Sequence, residues 1–355
     1  MSAKIRKGPV RLAIIGTGGM AHTHARNFQA IRGCTLVAAA DIDRDRVEKF
    51  CAEFRIPAAY TDVGKLLAES GCEAVSIVAP DAAHTPLALQ ALRAGMHVLC
   101  EKPLALNHAD ALRMAAAAKR AGKVNLVNFS YRNWSCLEGV AAAVRRGEIG
   151  EIRHVEASYL QSWLSSSAWG DWRTSPGWLW RLSSRHGSRG VLGDIGVHIL
   201  DFATHPAGPV SSVFCRLKTF HKAPRDRVGA FVLDANDSAV LAVDFANGAV
   251  GSIHTTRWSA GHNNRIYLKI SGTAGAVEID SERSTTSFRI CSGQDLHRVR
   301  WKERKVAAVP TVYSRFITSI RTGAACGPDF ARGAQIQKIL DACFKSDASA
   351  RPVRV

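Results

Sequence analysis

Apolar residues follow two different rhythms in this chain, and the rhythm changes near residue 130. Before that point, short apolar runs bounded by turn residues alternate with stretches of helical period. The runs Val10–Ile15, Thr35–Ala40, Ala74–Ala79, His97–Cys100 and Val124–Asn128 predict strands buried on both faces, as in a parallel sheet. Between them, helices are predicted over Ala21–Phe28, Arg44–Phe54, Thr85–Ala94 and His108–Ala121, the last two stopped by Gly95 and Gly122. Asp62 is placed to cap a shorter helix running through Ala68. This alternation predicts a doubly wound α/β domain over residues 1–130.

From residue 131 the pattern loosens. A helix is predicted over Leu137–Arg146 and a strand over Ile152–Gln161. The irregular stretch Ser162–Gly193 holds Trp163, Trp169, Trp172, Trp178 and Trp180, five of the chain's eight tryptophans. A helix then starts in Gly193-Asp194-Ile195-Gly196-Val197-His198 and is ended by Pro206 and Gly208. Strands follow at Val210–Phe220, Ala230–Ala235, Ala239–Phe245, Ala249–Arg257, Arg265–Ser271 and Ala276–Asp280, with Asn247-Gly248 marking a tight hairpin. Shorter strands to about Val309 and helices over Val312–Thr322 and Ala331–Asp347 close the chain. Residues 131–355 are thus expected to form an α+β domain on an open, mostly antiparallel sheet.

The candidate chemistry begins at the first strand. It runs into Gly16-Thr17-Gly18-Gly19-Met20-Ala21, a G-x-G-x-x-A turn that opens a helix. Gly16 permits the tight turn, Gly18 leaves room for a pyrophosphate, and Ala21 lets helix and strand approach closely. The second strand ends on Asp41, whose carboxylate suits the adenosine ribose hydroxyls and repels a 2′-phosphate. That selects NAD over NADP, although Arg44 nearby could reach a 2′-phosphate. In such a sheet, ligands lie beyond the carboxyl ends of the strands, where Pro80–His84, Glu101-Lys102-Pro103 and Asn128–Arg132 also fall. Lys102 either hydrogen-bonds a reacting hydroxyl or merely pairs with Glu101. Asp194 and His198, four apart on one helical face, are either a general base with its orienting carboxylate or a buried pair without catalytic role.

Composition narrows the class. The net charge is +17, but the basic residues are spread along the chain with no basic tail or nucleic-acid reader motif. No nucleic-acid partner is expected, and the positive field suits anionic cofactors or sugar acids. The nine cysteines show no C-x-x-C or zinc spacing, so no metal site is expected. No apolar run reaches membrane-spanning length, and the basic start Met1–Lys7 leads directly into the first strand, so a cytoplasmic protein without membrane partners is expected.

Together, the glycine turn, Glu101-Lys102-Pro103 and Asp194-Ile195-Gly196-Val197-His198 resemble the Gfo/Idh/MocA family of sugar and inositol dehydrogenases, over nearly the whole chain. The resemblance implies a Rossmann domain that binds NAD through Gly16, Thr17, Gly18, Gly19, Met20, Ala21, Asp41, Ile42, Arg44, Ala79, Pro80, His84, Glu101, Lys102 and Pro103. It implies Lys102, Asp194 and His198 as the catalytic set. His198 would be the general base in oxidation of a sugar, anhydrosugar or inositol-like polyol. Arg132, Trp163, Trp172, Arg173, Trp180 and Arg181 complete the expected substrate contacts, although the tryptophans could equally fill a subdomain core. A homodimer or homotetramer paired through the second domain's sheet is implied as well. Two departures are Asp81, where the family often has Asn, and Ser188-Arg189-Gly190, which keeps only one glycine of a cluster. Competing readings are an NADP-dependent ketosugar or imine reductase of the same fold, and a non-catalytic nucleotide sensor.

Overall fold

The computed structural model describes residues 8–355; the basic start at residues 1–7 lies outside the described residues. The chain divides into two units. The first takes the described residues through Ser130 together with Pro310–Gln337, and the second takes Tyr131–Val309 and Lys338–Val355.

In the first unit, six parallel strands stand in the order β3-β2-β1-β4-β5-β6: β1 (Val10–Ile15), β2 (Cys34–Ala40), β3 (Ala59–Tyr60), β4 (Ala74–Ile77), β5 (His97–Cys100) and β6 (Asn125–Val127). The order reverses between β1 and β4, the topological switch point where such sheets bind ligands. Helices α1 (Gly19–Gln29), α2 (Arg44–Phe54), α3 (Val63–Glu69), α4 (Asp81–Arg93) and α5 (His108–Ala121) connect the strands. Asp62 caps α3 by accepting from Lys65 N at 2.7 Å, as its place in the sequence predicts. Helix α4 starts four residues before the expected Thr85, with Pro80 as its N-cap, because proline needs no N–H there. The central strands are almost wholly apolar and buried, since helices cover both faces.

The second unit carries a nine-stranded sheet. Its strands are β7 (Ile152–Gln161), β8 (Val210–Lys218), β11 (Ser238–Phe245), β12 (Val250–Thr256), β13 (Asn264–Gly272), β14 (Gly275–Asp280), β15 (Ser287–Ser292), β16 (Lys302–Lys305) and β17 (Val353–Arg354). A separate small hairpin is formed by β9 (Arg227–Val228) and β10 (Phe231–Val232). Only β7 and β12 pair in parallel; the other neighbours are antiparallel. Along β11 and β12 buried and exposed residues alternate strictly, so one face is covered and the other is open. Helices α6 (Ser135–Arg145) and α8 (Val197–Ala207) pack together, α8 against β7 and α6 against β15, and two single-turn helices, α7 (Pro176–Leu179) and α9 (Gln294–His297), lie in the connections.

The chain does not stay in the second unit after Val309. Helix α10 (Val312–Thr322), assigned to the second domain by sequence, belongs to the first unit. Its apolar face, Val312, Tyr313, Phe316 and Ile317, packs in one core with Phe28, Leu12 and Leu126. Thr311 caps it by accepting from Ser314 N at 3.1 Å. Helix α11 (Phe330–Ser349) then carries the chain to β17. Among the described residues, no helix is long and apolar enough to cross a membrane.

Candidate active site

The glycine turn follows β1 at the carboxyl edge of the first unit's sheet. Gly16 N donates to Ala40 O at 2.7 Å, and Gly16 has a φ of 90°. A Cβ at this position would lie 2.7 Å from the Val78 carbonyl carbon and oxygen, so only glycine fits. Gly18 and Gly19 are different: a Cβ on either would meet nothing within 4 Å. That open space adjoins the start of α1, which has neither a side-chain cap nor an acidic residue in its first turn. Its free N–H groups and positive dipole end suit a pyrophosphate.

Asp41 lies at the end of β2. Its Oδ2 accepts from Thr17 N at 2.8 Å and Thr17 Oγ1 at 2.9 Å, while Oδ1 accepts from Asp43 N at 3.1 Å. Burial alone would raise its pKa, but these hydrogen bonds and Arg46 hold it below the ordinary value. A firmly ionised carboxylate therefore stands where ribose hydroxyls would be read. Arg44, the residue expected to favour a 2′-phosphate, pairs instead with Glu48 at 3.1 Å. The cation beside Asp41 is Arg46, at 3.4 Å, which the sequence did not single out. Met20 and Ile42 expose large apolar side chains next to the two loops.

Two further loops meet at the same edge. His84, fully buried, lies with Nδ1 2.8 Å from Pro103 O and Nε2 2.9 Å from Ala79 O, stitching the loops after β4 and β5 together. Glu101 sits under the half-buried Lys102. Its Oε1 accepts from Asn128 Nδ2 at 2.6 Å and lies 2.8 Å from His24 Nε2. Its Oε2 accepts from Lys102 N at 3.1 Å. Burial pushes its pKa up, but His24, Lys102 and Asn128 outweigh that and bring it down to about 2. His24 in turn reaches Ser76 Oγ at 2.8 Å, and Asn128 donates to Tyr313 Oη at 3.0 Å. This buried network supports the Glu101-Lys102-Pro103 loop, yet His24, Ser76 and Tyr313 escaped the sequence reading. A histidine on the apolar face of α1 was the available signal.

In the second unit, Asp194 lies in a π-helical turn, Leu192–Gly196, that leads directly into α8, and His198 is the second residue of α8. The sequence pattern predicts one regular helix here; the wider turn is a form common at functional sites. The His198 ring packs edge-on against Tyr131, with centroids 4.9 Å apart. From Tyr131 a polar chain runs through the Tyr159 hydroxyl to Asn264 Oδ1 at 2.8 Å. Gln161 Nε2 donates to the same oxygen at 2.9 Å, and Trp163 Nε1 donates to Gln161 Oε1 at 3.0 Å. Burial, then Tyr131 and Asp194, push the Tyr159 phenol far above its ordinary pKa, so it stays protonated.

The tryptophan-rich segment folds on itself. Trp163 and Trp172, expected at the substrate, are buried with Leu164, Leu179, Leu182, Ala223 and Leu233 in a small core of their own. Their rings are spent on holding the segment together, which is the subdomain-core alternative. Trp180 keeps partial exposure, with the Arg181 guanidinium 4.7 Å from its ring centroid. Arg173 stacks on Trp172 and is 3.4 Å from Asp171. Arg132 is also not displayed as expected: it is buried and grips Asp201 through two hydrogen bonds, of 2.6 and 2.8 Å. That bidentate pair anchors α8 to the start of the unit.

The comparisons with known proteins agree with this geometry. Residues 10–129 match the model of an oxidoreductase family with an NAD-binding Rossmann fold, GFO/IDH/MocA, and residues 137–278 match the GFO/IDH/MocA C-terminal domain. The chain belongs to the GFO/IDH/MocA family. Its first unit is therefore an NAD-binding Rossmann domain, and the protein is an oxidoreductase. A levoglucosan dehydrogenase of Pseudarthrobacter phenanthrenivorans is 27% identical over 96% of this chain and 96% of its own length. A myo-inositol 2-dehydrogenase of Thermotoga maritima is 27% identical over 78% of this chain and 77% of its own. A solved levoglucosan dehydrogenase in complex with NADH and L-sorbose superposes with a TM-score of 0.86, covering 98% of this chain and 99% of that one at 27% identity.

Proposed function

We propose that this GFO/IDH/MocA protein oxidises a secondary hydroxyl of a sugar, anhydrosugar or cyclic polyol, with NAD as hydride acceptor. The observation that carries the reading is the side-chain-free cradle at the start of α1 beside an ionised Asp41, in a chain that also holds Lys102, Asp194 and His198. NAD, held by the Gly16–Ala21 turn and Asp41, would supply the acceptor for the hydride that leaves the carbinol carbon. His198 takes the hydroxyl proton as the C–O bond becomes a carbonyl. Lys102 donates a hydrogen bond to the same oxygen and eases its deprotonation. Asp194 orients the substrate or His198. Trp180, Arg173 and Arg181 are the side chains we assign to sugar contact; Trp163, Trp172 and Arg132 act through the scaffold.

We assign the open sheet face to pairing with a second copy, as a homodimer or as half of a homotetramer. Val240 and Val250 stand half-exposed or more on it, among charged side chains of β7 and β13. Nine free cysteines suit a reducing, cytoplasmic setting.

The test is a panel of sugars, polyols and sugar acids with NAD and NADP side by side, followed by nicotinamide absorbance. Lys102→Ala and His198→Ala should each lose about 10²–10⁴-fold in turnover, and His198→Ala should keep its NAD affinity. A sensor would bind NAD and turn over nothing. A preference for NADP with ketosugars would favour a reductase.

A further inference from the structure

Asp194 is held by a residue that no motif marks. Arg257 follows β12 directly, and its side chain is wholly buried. Its Nη2 donates to Asp194 Oδ2 at 3.0 Å, and its Nη1 donates to the Arg181 carbonyl at 3.0 Å. Its Cζ lies 5.0 Å from the Trp163 ring centroid. Its backbone is also fixed, donating from N to Asp237 O at 3.0 Å and accepting from Leu164 N at 3.2 Å. One guanidinium thus ties together the π turn, the tryptophan-rich segment and the end of a sheet strand.

The charges around it explain why this arrangement matters. A buried guanidinium needs a counter-anion. The nearby carboxylate of Asp237 is already paired, 2.8 Å from the equally buried Lys222 Nζ. Asp194 is therefore the anion left to Arg257. Arg181 approaches the same oxygen, with Nε 3.6 Å from Oδ2, but is partly exposed and outside hydrogen-bond distance. Two cations converge on Oδ2, one wholly buried and hydrogen-bonded to it, the other partly exposed and turned to the Gly177 carbonyl. A carboxylate fixed at one oxygen has its plane fixed, and so the directions of its remaining lone pairs.

We propose that Arg257 is the positioning residue for Asp194, holding its carboxylate in the plane in which it meets the substrate and the His198 side of the reaction. The proposal rests on the dehydrogenase reading above. Lysine cannot replace the fork, because its single ammonium reaches Asp194 or the Arg181 carbonyl but does not stack on Trp163. Asp194 is also faced by Tyr159 from β7, and His198 follows one helical turn later.

The experiment is a double-mutant cycle of Arg257→Gln with Asp194→Asn, plus Arg257→Lys, on whole enzyme with a sugar the wild type oxidises. Arg257→Gln is expected to lose about 100-fold in kcat, the size of a misplaced group, with NAD affinity changed by less than about twofold. The acid limb of its kcat/KM profile should move up by about one pH unit, the effect of removing a cation beside a carboxylate. Arg257→Lys should regain part of both. In the Asp194→Asn background, Arg257→Gln should cost little more, because both changes remove one function. Additive losses, or a Gln variant with unchanged kcat and pH profile, would overturn the proposal. Loss of NAD affinity together with kcat would make Arg257 merely structural. A wild type inert toward the whole panel overturns the dehydrogenase reading itself, whereas an active wild type with an equally active Arg257→Gln overturns only the positioning.

Discussion

Glu101→Gln should remove a pH-dependent part of the first unit's stability. The Glu101 carboxyl goes from an ordinary value of 4.5 to about 2 in the fold, under the hydrogen bonds of His24 and Asn128 and the charge of Lys102. At ~1.4 kcal/mol per pKa unit, that shift is worth on the order of 3 kcal/mol. Because the folded value is depressed, the contribution is complete above about pH 4.5 and disappears as pH falls toward about 2. Glutamine imitates the protonated acid, so wild type and variant should differ by roughly this amount near pH 6, and the gap should shrink to about a quarter of it near pH 2.5. Urea unfolding followed by far-UV circular dichroism measures the difference. Tryptophan fluorescence is an internal control, because all eight tryptophans, Trp134 to Trp301, belong to the second unit. A stability gap that stays constant from pH 6 to pH 2.5 would refute the network as the origin of the shift.

Three other perturbations separate structure from binding. Gly18→Val should leave the melting temperature nearly unchanged but weaken NAD, since its Cβ enters open space, whereas Gly16→Ala should destabilise the turn by collision with Val78; paired melts and NADH fluorescence titrations distinguish them. Asp201→Asn should cost about 3–5 kcal/mol by leaving Arg132 buried without its charge partner, and the double variant Arg132→Met with Asp201→Leu should cost less, as read by chemical denaturation. Asp41→Ser should lower kcat/KM for NAD and raise the NADP-to-NAD ratio, because the carboxylate goes while Arg46 and Arg44 stay nearby; an unchanged ratio would mean Asp41 does not read the ribose.

Local signals made much of the fold legible. Buried parallel strands, capped helices and the Asn247-Gly248 hairpin are written in short windows, and Val10–Ile15, Arg44–Phe54 and Ile152–Gln161 have the same limits in the structure. What could not be read was long-range. Nothing local to Val312–Thr322 says that its apolar face returns to the first unit, and nothing near Val353 announces a strand beside β8. The expected site residues divide in the same way. Asp41 meets Thr17 within one βαβ unit, and Gly16 stands in a glycine motif of fixed spacing, so short windows expose both, although the Val78 carbonyl that crowds Gly16 comes from beyond that unit. Arg257 meets Asp194 across 63 positions and His24 meets Glu101 across 77, contacts that no sequence window contains. Aromatic residues misled in a different way: a tryptophan-rich segment can wall a sugar or fill a small core, and only burial tells the two apart for Trp163 and Trp172.

Oxidation of a carbinol carbon by NAD, with His198 as base, can be followed by isotope transfer. The most direct measurement offers a panel of secondary-alcohol sugars and polyols, deuterated at the reacting carbon, to wild type and His198→Ala with NAD. Wild type should form NADD from at least one of them, with deuterium transferred to nicotinamide C4. His198→Ala should bind NAD equally well and transfer little or none. Deuterium transfer undiminished in His198→Ala would mean that His198 is not the base, and none from any member of the panel in wild type would mean that the protein does not oxidise such carbinols.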